Sequence, residues 1–349
     1  MENEKIKLLI VDDSFLIRNI IADLLKNESD IQIIGSAANG NEAVKKIVDL
    51  KPDVVTMDYR MPELDGLGAI DAVMKGSGHK PAIIMVSAIT ADGAEETLRC
   101  LRHGAVDFVQ KPSGELSLDI QDVQGELIRK IRIAYHAFIE HRKSRFVEEN
   151  IVKKISHLHP IEAVVIGAST GGPPVVEQIV KSLPNGINAA VFVVQHMPKE
   201  FTGSLAARLN NLSQITVKEA TDGEEVEDGQ CYVAPGDWHM MIEKNSVGRK
   251  IIRLGNQPQR NGFRPSIDYT MISAAGVYGE KAMGVILTGM GNDGSGGMLE
   301  VKKAKGRTIV QSPETALISS MPRAAIDINA VEEILPVTEI VKKIILLTT

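Results

Sequence analysis

Residues 8–13 read LLIVDD, a short apolar run followed directly by Asp12 and Asp13. Such a run is typical of a buried strand. Four more runs follow before residue 110, separated by stretches with helical periodicity. The predicted strands are Lys7–Val11, Ile31–Ser36, Val54–Met57, Ala82–Val86 and Asp107–Val109, and the predicted helices are Ser14–Lys26, Gly40–Leu50, Gly66–Lys75 and Ala94–His103. The repeats predict a five-stranded parallel sheet with helices on both faces.

Polar side chains follow the carboxyl ends of these strands. Besides Asp12 and Asp13, Asp58 ends the third strand in VVTMDYRMP, Ser87 ends the fourth and Lys111 follows the fifth. Ligands of open parallel sheets bind beyond the carboxyl ends of the strands, so these side chains are expected to converge. Three carboxylates at one rim need a compensating cation, and Mg2+ suits oxygen ligands while it leaves positions for phosphate oxygens.

A carboxylate beside such a cation can act as a nucleophile and carry a phosphoryl group as an acyl phosphate. Lys111 would neutralise the transferred group, and the Ser87 hydroxyl could swing towards it. Any one of these residues could instead cap the helix that follows its strand. Their position at successive strand ends favours the phosphate site.

The motifs DD, MDYRMP, SA and KP closely resemble the receiver domain of two-component response regulators, over roughly residues 5–123. The resemblance implies a flavodoxin-like fold, a Mg2+ ion for phosphorylation and a histidine kinase as phosphodonor. The residues that it implies are the phosphoacceptor Asp58, the metal ligands Asp12, Asp13 and Asp58, and the switch residues Ser87, Phe108 and Lys111.

A connector is predicted at residues 124–159, between a domain at 1–123 and a domain at 160–349. The stretch from Glu126 to His159 holds eight Lys or Arg residues, four Glu and four His, without a strand pattern. This composition predicts a solvated helix, and a docking surface for a partner is the alternative.

A second α/β pattern begins at Glu162–Ile166 and predicts a doubly wound domain. The further predicted strands are Ala189–Val194, Ile215–Glu219, Gln230–Val233, Lys250–Arg253, Ala282–Leu287, Thr308–Val310 and Ala330–Ile334, and the clearest helices are Val175–Leu183 and Val337–Leu346.

The turn after Glu162–Ile166 reads GASTGGPP and has the G-x-S-x-G spacing that places a serine, Ser169, on a tight strand-to-helix turn. The N–H groups at the following helix N-terminus, from Thr170 to Gly172, are expected to be suited to hold an oxyanion. A glycine-rich turn could equally bind a nucleotide phosphate, but the third glycine of a dinucleotide site and the lysine of a P-loop are missing.

A serine nucleophile needs a base, and two histidines follow residue 160. His196 comes directly after the apolar run AAVFVVQ, at the predicted rim of Ser169, and is favoured as the base. His239, in PGDWHMMI, is interpreted as a pocket wall or a structural histidine. Asp293 follows the predicted strand Ala282–Leu287 and would orient the base, although it could also cap the next helix. The order serine, histidine, aspartate differs from that of α/β-hydrolases, which disfavours that fold.

The motifs GASTGGPP, QHMP, VAPGDWH, FRPSID, LTGMGNDG and QSPETALISSMPRAAI resemble the catalytic domain of the chemotaxis protein-glutamate methylesterases, the CheB family, across residues 160–349. The resemblance implies hydrolysis of glutamate methyl esters on chemoreceptors with release of methanol, and deamidation of selected glutamines. It implies Ser169 as nucleophile, His196 as base and Asp293 as orienting acid, with the chemotaxis histidine kinase as phosphodonor. We expect the oxyanion donors to be the N–H groups of Thr170 and Met290. Many members carry histidine before RPS(V/I)D, where this chain has Phe263.

The combination of domains suggests the hypothesis that the unphosphorylated receiver domain blocks the hydrolase cleft and that phosphorylation of Asp58 opens it. Three alternatives remain. The glycine-rich turns GASTGG and GMGNDGSGG could grip nucleotide phosphates in a regulator, the hydrolase domain could be an inactive interaction module, or the substrate could be a methylated protein outside chemotaxis.

Composition narrows the class of protein. A length of 349 residues predicts two domains, and a net charge of -6 argues against nucleic acid as the main ligand. The two cysteines lie far apart, which favours a reducing compartment. The N-terminus has no signal-peptide core, and no apolar run approaches the ~18 residues of a membrane span. We therefore expect a cytoplasmic protein without membrane insertion, whose hydrolase needs no cofactor.

Overall fold

The computed structural model describes residues 5–88, 90–111, 119–143 and 160–349. The chain divides into two compact units, Met1–Arg145 and Phe146–Thr349. No helix in the described ranges is both long enough and apolar enough to cross a membrane.

The first unit is built on a five-stranded parallel sheet of order β2-β1-β3-β4-β5. Its strands are β1 (Ile6–Val11), β2 (Ile31–Ala37), β3 (Val54–Asp58), β4 (Ala82–Ser87) and β5 (Asp107–Gln110), and its helices are α1 (Phe15–Leu25), α2 (Gly40–Leu50), α3 (Gly66–Lys75), α4 (Ala91–His103) and α5 (Asp119–Lys143). The parallel sheet predicted from the alternation of apolar runs and helical stretches is confirmed. Four of these helices, α1 to α4, have side-chain N-caps. Each cap accepts a hydrogen bond from an N–H of its helix, and the caps are Ser14, Asn39, Asp65 and Thr90.

Helix α5 differs from the predicted connector. The charge density of this stretch suggested a solvated helix, but Leu127, Ile131 and Ala134 are buried at helical spacing and give α5 an apolar face. This face packs against β4 and β5, so residues 124–143 belong to the first unit. The rest of the predicted connector, residues 144–159, lies outside the described residues.

The second unit is built on a seven-stranded parallel sheet of order β14-β13-β12-β6-β7-β9-β8. The strands of the unit are β6 (Ala163–Ala168), β7 (Ala190–Gln195), β8 (Thr216–Glu219), β9 (Gln230–Val233), β10 (His239–Lys244), β11 (Lys250–Gly255), β12 (Ala282–Ile286), β13 (Arg307–Gln311) and β14 (Glu333–Leu335). The α-helices are α6 (Gly172–Val180), α7 (Lys199–Leu212), α8 (Ile267–Tyr278), α9 (Ser295–Lys303), α10 (Ser320–Asp327) and α11 (Val337–Thr348). The predicted doubly wound architecture is confirmed.

One predicted strand lies outside this sheet. The segment predicted at Lys250–Arg253 forms β11, which pairs antiparallel with β10 in a separate two-stranded ribbon. The ribbon packs on α8. An apolar strand pattern reports burial and does not identify the pairing partner, which explains the difference.

The strand order also locates a site. The chain enters the large sheet at β6, continues on one side to β7 and returns on the other side at β12. The order therefore reverses beside β6, and the carboxyl ends of β12, β6 and β7 lie next to one another. In open parallel sheets this switch point is where ligands bind.

Candidate functional sites

Ser169 and His196 stand at neighbouring strand ends in the second unit. The last paired residues of β6 and β7 are Ala168 and Gln195, and the His196 N–H donates to the Ala168 carbonyl at 3.0 Å. Ser169 and His196 are thus the first residues beyond the same rung of the sheet. Within the described ranges, no hydrogen bond joins the Ser169 hydroxyl to the His196 ring.

The turn that carries Ser169 is held by its backbone. The Ser169 N–H donates to the Thr288 carbonyl at 3.1 Å, and its carbonyl accepts from Gln195 Nε2 at 2.9 Å. Gly171 has a φ of 73°, which favours glycine. A Cβ on Gly289 would lie 2.8 Å from Ser169 Cβ, so this position needs glycine for the close approach of the two loops. The turn is therefore rigid around the serine.

Asp293 meets His196 directly. His196 Nε2 lies 2.8 Å from Asp293 Oδ2, and both side chains are almost wholly buried, at 5% and 0% exposure. The carboxylate also accepts from Ser266 Oγ and from the Ile267 N–H, each at 2.7 Å. Burial by itself would raise the pKa of Asp293, but the hydrogen bonds from His196, Ser266 and Ile267 lower it. The acid is therefore ionised and accepts every one of these bonds.

This arrangement selects one tautomer of His196. An ionised carboxylate only accepts hydrogen bonds, so Nε2 carries the proton that points to Asp293. In the neutral ring Nδ1 then holds a lone pair. Nδ1 is buried, and nothing in the described ranges hydrogen-bonds to it. A lone pair without a partner is the feature that a general base requires, and Ser169 stands at the neighbouring strand end.

The alternative interpretation of Asp293 as a cap of the next helix is wrong. The helix that follows it, α9, has Gly294 at its N-cap and no side-chain cap. Asp293 instead accepts from the first N–H groups of α8, those of Ile267 and Asp268. The same carboxylate orients the histidine and caps a helix that precedes it in the chain.

His239 has a structural environment. Its side chain is buried, Nε2 contacts the Pro258 carbonyl at 3.2 Å, and Nδ1 accepts from the Ser266 N–H at 3.2 Å. Burial lowers its pKa. Both ring nitrogens are engaged, so His239 has no lone pair left for catalysis, and the preference for His196 as base is supported.

The two proposed oxyanion donors lie beside Ser169. Thr170 follows the serine, and its carbonyl accepts from Thr288 Oγ1 at 3.0 Å. Met290 lies in the loop after β12, where the flanking N–H groups of Gly289 and Gly291 donate to Ile318 and Ser320. The Met290 N–H makes no hydrogen bond within the described part of the chain. Its role as an oxyanion donor stays a prediction.

Sequence reasoning missed two side chains at this site and left the contact of a third unassigned. Gln195 holds the Ser169 carbonyl, Ser266 donates to Asp293, and the Phe263 ring, singled out as a departure from the family pattern, stacks on His196 with 3.8 Å between centroids and 9° between planes. The position of Gln195 at a strand end was a usable signal. Nothing in the sequence pointed from Ser266 to Asp293 or from Phe263 to His196, because these partners are distant in the chain.

The first unit brings together the acidic residues predicted from the strand ends. One carboxylate oxygen of each of Asp12, Asp13 and Asp58 lies within 4.8 Å of the others. Asp12 and Asp58 are buried, and Lys111 Nζ lies 2.9 Å from an oxygen of each. The oxygen donors and their spacing fit a Mg2+ ion.

The charges of this cluster are strongly coupled. Burial raises the pKa of Asp58 against the lowering effect of Lys111, and the neighbouring Asp12 raises it further. Burial alone would lower the pKa of Lys111, but hydrogen bonds to Asp12 and Asp58 raise it. A cation that joins the cluster would relieve the repulsion between the carboxylates.

Of the predicted switch pair, Ser87 lies beside this cluster and Phe108 lies on β5. The Ser87 hydroxyl donates to the Gly93 carbonyl at 3.2 Å and accepts from Thr97 Oγ1 at 2.7 Å, so it is held by α4. Phe108 is buried, with Lys130 Nζ 4.8 Å from the centre of its ring. A cleft beside Asp58 is lined by Tyr59, Arg60, Ser87, Thr90, Glu96 and Lys111.

Comparison with known proteins assigns both units. Residues 164–344 match the family model for CheB methylesterase, and residues 8–120 match the response regulator receiver domain. A protein-glutamate methylesterase/protein-glutamine glutaminase of Thermotoga maritima is 41% identical over 348 residues, which cover 99% of each chain. One of Pyrococcus abyssi is 40% identical over 349 residues, 99% of this chain and 94% of the relative.

A solved structure agrees with the assignment of the second unit as a methylesterase domain. The crystal structure of the Thermotoga maritima CheB methylesterase catalytic domain is 43% identical and has a TM-score of 0.52, covering 54% of this chain and 98% of that one. These matches do not favour a nucleotide-binding regulator. With a receiver domain in front of a methylesterase domain and full-length relatives of the same organisation, the chain belongs to the CheB family of protein-glutamate methylesterases/protein-glutamine glutaminases.

Proposed function

We propose that this chain is a phosphorylation-activated serine hydrolase that removes methyl esters from glutamates of chemoreceptors and deamidates selected receptor glutamines during sensory adaptation. The observation that carries the proposal is the 2.8 Å bond between His196 Nε2 and Asp293, which leaves Nδ1 free to serve Ser169 at the neighbouring strand end. The family relationship supports the choice of substrate. We place the protein in the cytoplasm, where the signalling ends of receptors and the chemotaxis histidine kinase would meet it.

In the first half-reaction, Ser169 Oγ attacks the ester carbonyl and its proton passes to His196 Nδ1. The carbonyl oxygen becomes an oxyanion, for which we propose the N–H groups of Thr170 and Met290 as donors. Asp293 stabilises the imidazolium. When the tetrahedral intermediate collapses, the C–O bond to the methoxy group breaks and methanol leaves with the proton from Nδ1. A glutamyl ester on Ser169 remains.

In the second half-reaction, a water molecule gives its proton to Nδ1 and its oxygen attacks the acyl carbon. Collapse of this intermediate breaks the bond to Ser169 Oγ, which takes back the proton, and the receptor leaves with a free glutamate. A glutamine side chain follows the same steps with ammonia as the leaving group. The Ser169–His196 hydrogen bond would form when substrate closes the site, since such bonds are often long without substrate.

For the receiver domain we propose that Asp58 is the phosphoacceptor, with Asp12, Asp13 and Asp58 as ligands of Mg2+. A bound Mg2+ would neutralise charge on the phosphoryl oxygens during transfer. Lys111, already paired with Asp12 and Asp58, would follow the new charge on Asp58. The Ser87 hydroxyl would leave Gly93 and Thr97 of α4 to reach a phosphoryl oxygen, which changes the surface of the first unit.

The test is methanol release from membranes that hold methylated chemoreceptors, with the purified full-length chain and with its Ser169→Ala variant. We expect release by the wild type and loss of at least about 10³-fold in the variant, because no nucleophile remains. Substantial turnover by Ser169→Ala would refute the nucleophile. Absence of release by a wild type that still reacts with a fluorophosphonate probe would refute the substrate class but not the hydrolase.

A further inference from the structure

Phe263 sits on a tight turn with a defined backbone. Arg260 and Phe263 exchange two backbone hydrogen bonds, at 3.2 Å and 3.0 Å, across Asn261 and Gly262. Both central residues have positive φ, 54° and 82°. This is the geometry of a type I′ hairpin turn, for which Asn-Gly is the preferred sequence. The turn therefore defines the backbone position of Phe263.

The same turn is anchored to the acid of the proposed triad. Asn261 Nδ2 lies 3.3 Å from Asp293 Oδ1 and 3.2 Å from Asp268 Oδ2. Arg260 Nε donates to Asp268 Oδ2 at 3.0 Å. One four-residue turn thus contacts the acid through Asn261 and the base through Phe263.

The stacking geometry is close and nearly parallel. The ring centres of Phe263 and His196 are 3.8 Å apart and their planes differ by 9°. A flat ring on one face opposes tilting of the imidazole about its χ2 torsion, which is otherwise broad. The plane of the imidazole decides whether Nε2 meets Asp293 and whether Nδ1 can face Ser169. The π face of Phe263 also attracts the imidazolium more than the neutral ring.

We propose that Phe263 is a positioning residue, which holds the His196 ring in the plane of the Asp293 bond and stabilises the imidazolium that forms when Ser169 attacks. This inference rests on the proposed function of His196 as base. It assigns to Phe263 an effect on turnover. An aromatic wall of the substrate pocket would instead affect substrate binding.

Three variants of the full-length chain separate these effects. Phe263→Ala removes both the stacking surface and the π face, Phe263→Leu keeps an apolar side chain without a π face, and Phe263→Tyr keeps the stacked ring. For each variant, kcat and KM are measured for methanol release, and the second-order rate of Ser169 labelling is measured with a fluorophosphonate probe. The endpoint of labelling counts folded active sites, so kcat is expressed per active site.

We expect Phe263→Ala to lower kcat and the labelling rate about tenfold with KM within about twofold of wild type, as the loss of a buried cation–π contact predicts. In Phe263→Leu, kcat and the labelling rate should fall about threefold, and in Phe263→Tyr they should stay within about twofold of wild type. A merely structural role would not require this difference between Leu and Tyr. Unchanged kcat in Phe263→Ala, or a rise in KM alone, would overturn the proposal. If Phe263→Ala does not fold, a Leu variant equal to the Tyr variant would overturn it.

The labelling rate keeps this test independent of the natural substrate. A wild type that releases no methanol from receptors but labels at Ser169 would refute the substrate and leave the Phe263 proposal open to the same comparison. Equal labelling rates in the wild type and Phe263→Ala would refute the Phe263 proposal and leave the proposed substrate intact.

Discussion

At the scale of single residues, Asp293 combines a proposed catalytic role with a structural one. Its carboxylate accepts from His196 Nε2, as the proposed orienting acid would, and from the Ile267 N–H, which makes it the cap of α8. A residue shared between a helix terminus and a catalytic group is held without side-chain freedom. The hydrogen bonds that stabilise the N-terminus of α8 thus also fix the carboxylate that contacts His196.

Replacing Asp293 with Asn should reduce kcat by about 10³–10⁴-fold. The amide N–H2 of Asn can donate to Nε2, which favours the tautomer with its proton on Nδ1, and that tautomer cannot accept from Ser169. Methanol release by the full-length chain measures the effect. Asp228→Asn, at an exposed position, is the matched control and should retain wild-type kcat. A loss below about tenfold in Asp293→Asn would contradict this role.

The lowered pKa of Asp293 makes stability depend on pH in a definite direction. Its folded pKa lies below the unfolded value of about 3.9, so its contribution is complete above that pH and is lost as pH falls through the folded pKa. The difference in unfolding free energy between wild type and Asp293→Asn should therefore be largest near neutral pH and shrink below about pH 4. Denaturant titrations from pH 7 to pH 3 measure it, and a difference that grows in acid would contradict the assignment.

At the scale of elements, α5 shows how a charged helix can belong to a core. Lys130 is buried, yet its ammonium pairs with Asp107 at 3.1 Å and Glu126 at 2.9 Å. These carboxylates raise its pKa although burial alone would lower it. Lys130 also donates to the Phe108 carbonyl. The lysine thereby ties α5 to the strand that carries a proposed switch residue.

Replacing Lys130 with Met should lower the unfolding free energy of the first unit by about 3–5 kcal/mol, because it breaks the buried ion pair between Lys130 and Asp107. Lys75→Met is the matched control: Lys75 pairs with Asp71 on an exposed face, and its loss should cost less than about 1 kcal/mol. Hydrogen exchange of the amides in α5 and β5 reports the change in the full-length chain. Equal exchange in both variants would show that the buried pair is not important.

At the scale of the whole molecule, the chain carries a proposed phosphate-accepting site and a proposed hydrolase site, and the described side chains of each lie within one unit. The acidic cluster and Lys111 lie in Met1–Arg145, and the Ser169, His196 and Asp293 side chains lie in Phe146–Thr349. The proposed coupling between them can therefore be tested with substitutions in one site that leave the residues of the other unchanged.

A small phosphodonor with Mg2+ should raise the esterase activity of the wild type and leave Asp58→Asn unchanged, because only the wild type can form the acyl phosphate. Ser169→Ala should still be phosphorylated at Asp58. Methanol release and phosphoprotein mass measure the two events. Equal activity of Asp58→Asn and the phosphodonor-treated wild type would remove the regulatory hypothesis.

Features that depend on neighbouring residues could be predicted before the fold was known. Apolar runs predicted the two parallel sheets, and polar residues that directly follow those runs predicted the acidic cluster, Ser169 and His196, because the carboxyl ends of parallel strands share one edge. The predicted boundary of the first domain was less accurate, because the charged residues of α5 obscured its apolar face.

Contacts between groups that are distant in the chain became visible in the folded molecule. His196 and Asp293 are separated by 97 positions, the cap of α8 comes from a later loop, and the β10–β11 ribbon leaves the main sheet. The Phe263 ring reaches His196 only because the Asn261-Gly262 turn is folded and anchored. Local patterns carry the preference of each segment for burial and backbone shape, whereas contacts between segments follow from packing of the whole unit.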